Sequence, residues 1–225
     1  MDKKVIKIAN CSGYYGDKLS AAKELVDGGP IDVLTGDYLA ELTMAILYGQ
    51  RIQRGDDKGY VGTFLKQIKE VAASCKEKKI KIVSNAGGLN PKSMAAEIEK
   101  ILDDLSIDLK VAYIDGDDLI PRISELKKNG EEFLNIEKNI SLDESGCEPL
   151  TANAYLGAWG IKEALDNGAD IIVCPRVTDA ALVIGPAAWK FKWNRNNYDA
   201  LAGALAAGHI IAVSYTHLTL PTIGE

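Results

Sequence analysis

The residues best suited to chemistry fall in five short strings, each directly after an apolar stretch. They read Asn10-Cys11-Ser12-Gly13, Thr35-Gly36-Asp37-Tyr38, Ser84-Asn85-Ala86-Gly87-Gly88, Asp115-Gly116-Asp117-Asp118 and Pro175-Arg176-Val177-Thr178-Asp179. Turns between strands and helices use such residues for backbone reasons alone, but small or polar residues after every apolar stretch suggest a shared rim. In the last string, Arg176 and Asp179 lie three positions apart. A guanidinium binds a carboxylate or phosphate bidentately, and a partly buried carboxylate beside it can move a proton. The competing reading is an Arg–Asp pair bracing a loop, with Asp179 as a helix cap. Asp37 and Glu41, four apart at a helix start, offer a second carboxylate or an acceptor for substrate hydroxyls.

Between Ser84 and Pro91, Gly87 and Gly88 allow close backbone approach, and Asn90-Pro91 opens a helix whose N-terminal N–H groups face an anion. Equally, Asn90 could simply cap that helix over a tight glycine turn. Asp115, Asp117 and Asp118 resemble an oxygen-rich Mg²⁺ site, although hard cations draw ligands from several segments. Zinc has less support, because no HExxH or Cys/His cluster occurs. Gly13 and Gly16 follow the first apolar stretch and Asp37 comes about twenty residues later, the spacing of a dinucleotide site. GxGxxG is missing, however, and Tyr14 and Tyr15 crowd the place a pyrophosphate needs. Cys11 is the one thiol placed as a candidate nucleophile; Cys75 and Cys174 read as core.

Positioning these residues requires strands, and five β-rich runs supply them: 5–9, 31–34, 80–83, 111–114 and 171–174. Helical spacing separates them. Leu19, Ala22, Leu25 and Val26 mark one face, with Asp17 as the expected N-cap and Gly28-Gly29 as the stop. A second helix is expected near Tyr38. Phe64, Ile68, Val71 and Cys75 mark a third, Met94, Ile98, Ile101 and Leu105 a fourth, and Ala154, Ala158, Ile161 and Leu165 a fifth. Residues 130–149 fit less well and suggest a small hairpin around 133–136 and 140–142. The alternation predicts a three-layer, Rossmann-like α/β fold with a mainly parallel sheet, with part of a β/α barrel as the alternative.

The composition of the 225 residues, 47% hydrophobic and 26% charged, describes one soluble globular domain. A net charge of −6 argues against a nucleic-acid partner. Four cysteines without a CxxC pair, and an apolar start too short for a signal peptide, point to the cytoplasm. Residues 200–224 lack Asp, Glu, Lys and Arg, yet His209, Ser214, Thr216, His217 and Pro221 interrupt the run, so a membrane span is not expected. A homo-oligomer remains open.

Several strings together carry a resemblance: Ile8 to Gly13, Gly29 to Glu41, Ser84 to Pro91, Ala152 to Ala158 and Arg176 to Ala180. In this order they resemble the acyclic terpene utilization AtuA-like family over nearly all of residues 1–211. The resemblance implies a soluble protein associated with breakdown of acyclic terpenes and other branched acyl compounds, whose intermediates are CoA thioesters. It supplies no reaction, so positions alone carry over: Asn10, Asp37, Asn85, Gly87, Gly88, Asn90, Asn153, Arg176 and Asp179. A longer domain is expected after Ile211; residues 212–225 instead resemble translated read-through, which implies a truncated fragment with an exposed apolar face on its last helix.

The expected function is acid–base chemistry of lyase, hydratase or hydrolase type on a branched acyl substrate or its CoA thioester. Asp37 and Asp179 would move protons and Arg176 would hold an anion, with Asn10, Asn85, Gly87, Gly88, Asn90 and Asn153 binding substrate. An NAD(P)-dependent oxidoreductase and a non-catalytic scaffold subunit are the alternatives. No cofactor is specified, beyond the Mg²⁺ reading.

Overall fold

The computed structural model describes residues 5–212. Their apolar runs become strands because Val, Ile and Leu, branched or bulky and free of polar atoms, suit a sheet buried on both faces. β1 (Ile8–Asn10), β2 (Val33–Gly36), β3 (Lys81–Ser84), β4 (Val111–Tyr113) and β5 (Ile171–Val173) form one sheet in the order β1-β2-β3-β5-β4. Every pairing is parallel, with Ala9 opposite Leu34, Leu34 opposite Ile82, Val83 opposite Ile172 and Ala112 opposite Ile172. β1 and β4 are open edges, so the sheet does not close and the barrel alternative falls.

Alternating side chains feed two cores. Leu34, Ile82, Ile171 and Val173 face one side, whereas Val33, Val83 and Ile172 face the other. The first face is covered by α1 (Ala21–Gly28), α2 (Glu41–Arg54), α3 (Gly62–Lys78) and α4 (Pro91–Asp104), which bury residues such as Val26, Leu47, Phe64 and Ile98. After β4, a 3-10 turn (Ile120–Arg122), α5 (Ile123–Lys128) and α6 (Leu142–Ser145) precede α7 (Trp159–Asp166). α7 covers the second face with α8 (Ala181–Phe191), through Ile161, Leu165 and Leu182. α9 (Tyr198–Ala212) lies on α8 and beside β1, so close that a Cβ at Gly208 would stand 2.9 Å from Ala180 Cα. Helices on both faces of one parallel sheet make the three-layer architecture.

Several boundaries differ from expectation for local reasons. α1 starts at Ala21 after Ser20; Asp17 instead accepts the Gly13 N–H at 3.0 Å, folding the preceding loop onto itself. α2 begins at Glu41 rather than at Tyr38, because residues 37–39 are tied into the strand ends. Ala154 is outside α7: its N–H goes to the Asp117 carbonyl at 2.8 Å, an extended pairing that outcompetes the helical spacing. Residues 133–142 form no strands. Two backbone bonds, Asn135 to Ile140 at 2.9 Å and Leu142 to Glu132 at 3.1 Å, close a loop that ends in α6, whose Ser141–Glu144 capping box stops any continuing ladder.

On α9, Leu205 and Ile210 are exposed. An apolar groove of about 370 Å³ runs between α8, α9 and β1, lined by Ile8, Val183, Phe191, Trp193 and Ile211 among others. Residues 213–225, most of the segment read as a tail, lie outside the described residues. Among the described residues no helix is long and apolar enough to cross a membrane.

The order of crossovers decides where a site can form. The chain leaves β3 into α4 on one face and leaves the adjacent β5 into α8 on the other. Between two such strands the following loops diverge, which opens a crevice at their carboxyl ends.

Candidate functional site

Asp37 follows β2 at that edge and is buried, 4% exposed. Asn85, just past β3, clamps it: the Asn85 amide nitrogen donates to Asp37 Oδ1 at 2.6 Å, and its oxygen accepts the Tyr38 N–H at 2.8 Å. Ser84 Oγ donates to the Gly36 carbonyl at 2.7 Å, joining the same two loops again. Burial, followed by the negative charge of Asp179, pushes the Asp37 carboxyl up to about 6; Asn85, the Leu39 backbone and Arg176 oppose the shift.

Arg176, in the loop after β5, is also buried. Its Nη1 donates to the Leu39 carbonyl, and its Nη2 to Tyr155 Oη at 2.7 Å and, at 3.4 Å, to Glu41 Oε1. The guanidinium lies over the Tyr155 ring, 4.1 Å from its centroid, the stacked geometry a planar cation favours. Tyr155 in turn donates to Glu41 Oε1. The Tyr155 phenol is raised, first by burial and then by its bond to Glu41, while that same bond lowers Glu41.

The backbone of this loop is held separately. Asp117, in the loop after β4, accepts the Arg176 N–H at 3.1 Å and the Asn153 amide at 2.8 Å through one carboxylate oxygen, Oδ2. Burial raises its carboxyl, and these two donors act against the rise. Isolated bridges between Asp118 and Asn153 and between Leu156 and Val177 extend the tie, so residues 153–156 lie across the strand ends. A cavity of about 180 Å³ results, lined by Glu41, Met44, Thr151, Asn153, Tyr155 and Arg176. It offers a guanidinium, a phenol and an amide around a small space, a set that can bind a carboxylate or a polarised carbonyl.

A comparison with known families adds identity to this geometry. The model of the acyclic terpene utilisation family protein AtuA matches residues 6–216. The chain belongs to this family. Membership implies a role in acyclic terpene utilisation at that level of description. No curated protein and no solved structure matches the chain.

In this AtuA-family chain the predicted residues separate into two groups. Asp37, Asn85, Asn153, Arg176 and Asp179 gather at one crevice. Asp179 is half-buried and does not brace the loop: Arg176 pairs with Glu41, and α8 is preceded by Ala180 without a side-chain cap. The other four positions serve the chain itself. Asn10 donates to the carbonyls of Ser12 at 2.7 Å and Ile211 at 2.9 Å and accepts from Thr35, pinning the end of α9. Asn90 caps α4, accepting the Ser93 N–H at 3.1 Å, and holds the Asp56 carbonyl at 3.0 Å.

Gly87 and Gly88 are buried against the chain's own backbone rather than opened to a ligand. A Cβ on Gly87 would stand 2.6 Å from the Cys174 carbonyl oxygen. The Gly87, Gly88 and Leu89 N–H groups donate to Cys174, Asn85 and Gly59, which leaves this turn no anion cradle.

Other readings also meet physical obstacles. Asp115 is exposed, Asp118 accepts the Ile120 N–H, and Asp117 faces Arg176 and Asn153, so the three aspartates do not converge. Among the described residues no cluster of three or more His, Cys, Asp or Glu suits a metal ion. Cys11 is fully buried, and desolvation pushes its thiol up to about 12, the opposite of an activated nucleophile. The loop after β1 runs ten residues before α1, and the Gly13 N–H is taken by Asp17, so no helix N-terminus meets a pyrophosphate there.

Sequence reasoning missed Tyr155, Thr151 and Met44 as lining residues, and it took Asp117 for a metal ligand. Tyr155 did leave a signal, an aromatic two positions beyond Asn153 inside one of the family strings.

Proposed function

We propose that this chain is an enzyme acting on a branched or acyclic terpenoid acyl compound by acid–base chemistry of the lyase, hydratase or hydrolase type. One observation carries the reading: two interacting carboxylates, Asp37 and Asp179, share a crevice with a buried Arg176. A carboxyl with a pKa near 6 holds or releases a proton close to neutral pH, as general catalysis requires. Neither Asp37 nor Asp179 lines the cavity, and Asp37 is the more deeply buried of the two. It therefore stores the proton, and the half-buried Asp179 exchanges it with substrate. Arg176, Tyr155 and Asn153 hold the acyl oxygen atoms. The substrate is a small acyl compound, free or as its CoA thioester, and the four unpaired cysteines favour a cytoplasmic setting.

The test is incubation of the chain with branched and acyclic terpenoid acids and their CoA thioesters, followed by mass spectrometry. We expect one class to be consumed, and Asp179→Asn to slow its turnover by about a hundred- to ten-thousandfold. Consumption that ignores Asp179→Asn, or none across the panel, overturns the reading.

A further inference from the structure

Among the described residues Arg176 is the one buried basic residue, and a buried guanidinium needs a matching negative charge. Asp37 acts on this guanidinium through space, but the groups bonded to it supply little charge. Nη1 meets the neutral Leu39 carbonyl, and Nη2 meets the Tyr155 hydroxyl. Asp117 spends its carboxylate on the Arg176 backbone N–H, and Asp37 is bonded to Asn85. The one carboxylate bonded to the guanidinium is Glu41, through a single oxygen at 3.4 Å, with side-chain exposures of 6% for Arg176 and 82% for Glu41. Such a contact is long, single-pointed and mostly in water, the opposite of the bidentate fork that a guanidinium makes with a well-seated carboxylate.

The same two residues border the cavity of about 180 Å³. We propose that Glu41 is a displaceable stand-in: the carboxylate of a small ligand enters this cavity, takes the place of Glu41 on Arg176, and Glu41 swings into solvent. Displacement needs no movement of the fold, since Glu41 is the first residue of α2 and its side chain is already exposed; the Tyr155 O–H that now donates to Glu41 Oε1 passes to the ligand carboxylate. Two carboxylates on one guanidinium repel, so the ligand and Glu41 exclude each other. The proposal rests on the reading of Arg176 as the anion holder, and it narrows the ligand to one bearing a free carboxylate. The cavity is too small for a nucleotide, and its single guanidinium beside Glu41 suits a monoanion better than a phosphate dianion.

The experiment is calorimetric titration of the whole chain with 3-methylbutanoate and its neutral counterpart, 3-methylbutanamide, using wild type, Glu41→Gln and Asp118→Asn. Glu41→Gln touches an exposed side chain, so folding is not at stake. Expected are a preference of wild type for the acid, a gain of about two- to fivefold in acid affinity for Glu41→Gln, and no change for the amide. Asp118→Asn removes a charge beside Asn153 without touching Arg176 and leaves the acid affinity unchanged. An equal gain in Asp118→Asn reduces the effect to net charge and overturns the displacement. Unchanged or weaker acid binding by Glu41→Gln, with the preference of wild type for the acid intact, also overturns the displacement while Arg176 keeps its role. Equal affinity for acid and amide, or no binding to wild type and Glu41→Gln, overturns both.

Discussion

Asp117 holds Arg176 by its main chain: one buried carboxylate oxygen accepts the Arg176 N–H at 3.1 Å across 59 positions of sequence. The bond joins the loop after β4 to the loop after β5, and the same oxygen fixes Asn153. The guanidinium is left to point elsewhere, so the main chain and the side chain of Arg176 have different partners.

Removing that acceptor should be costly. Asp117→Ala leaves the Arg176 N–H and the Asn153 amide unpaired in a buried place, and we expect a loss of about 1–3 kcal/mol in urea unfolding. Asp117→Asn retains an oxygen acceptor and should lose less. Equal stability of wild type and the alanine variant would show that water replaces the carboxylate freely.

Asp37 makes stability depend on pH in a defined direction. Its carboxyl rises from an ordinary value of 3.8 to about 6 on folding, so the folded chain binds the proton more tightly than the unfolded one. The contribution is fully present below pH 3.8 and is lost as pH rises through 6. About 2 pH units correspond to roughly 3 kcal/mol. Asp37→Asn removes this loss, so relative to wild type it should gain stability between acidic and weakly alkaline buffer. A pH-independent difference between the two proteins would contradict the assignment.

Gly87→Ala tests the glycine turn as packing. The added Cβ would lie 2.6 Å from the Cys174 carbonyl oxygen and 2.8 Å from Pro91 Cα, both backbone atoms. Overpacking of this kind costs about 1–3 kcal/mol, measurable by thermal or urea unfolding. A variant as stable as wild type would mean that the turn is open after all.

The cysteines should react unequally. Cys11, Cys75 and Cys174 are buried, and their thiols are raised by desolvation, whereas Cys147 is exposed. Iodoacetamide on the native chain should give one adduct, at Cys147, by mass spectrometry. Adducts at the other three should follow on unfolding. Rapid native labelling at Cys11 would restore it as a nucleophile.

The five strands were legible in sequence because buried parallel strands are short, continuous runs of Val, Ile and Leu, as at 171–173. The start of α4 was legible for a similar reason: Asn90-Pro91 encodes a cap and a preset backbone angle within two residues. Ala154 misled because one apolar residue four positions before Ala158 does not fix a helix turn, and here its N–H pairs instead with the Asp117 carbonyl of a distant loop. Of the polar strings, sequence indicated that Arg176, Asp37 and Asp179 stand at strand ends, but it could not distinguish them from Asn10 or Asn90, whose side chains are consumed by the chain's own carbonyls and N–H groups.

What the chain encodes locally is therefore its α/β alternation, the polar character of each strand end and its membership of the family. Tertiary structure alone decided the strand order, with β5 inserted between β3 and β4, and hence which loops face one another. The physical reason is range. Strand formation and capping depend on neighbours a few residues away, whereas a carboxyl near pKa 6 or a guanidinium over Tyr155 depends on burial and charge supplied by segments far off in sequence.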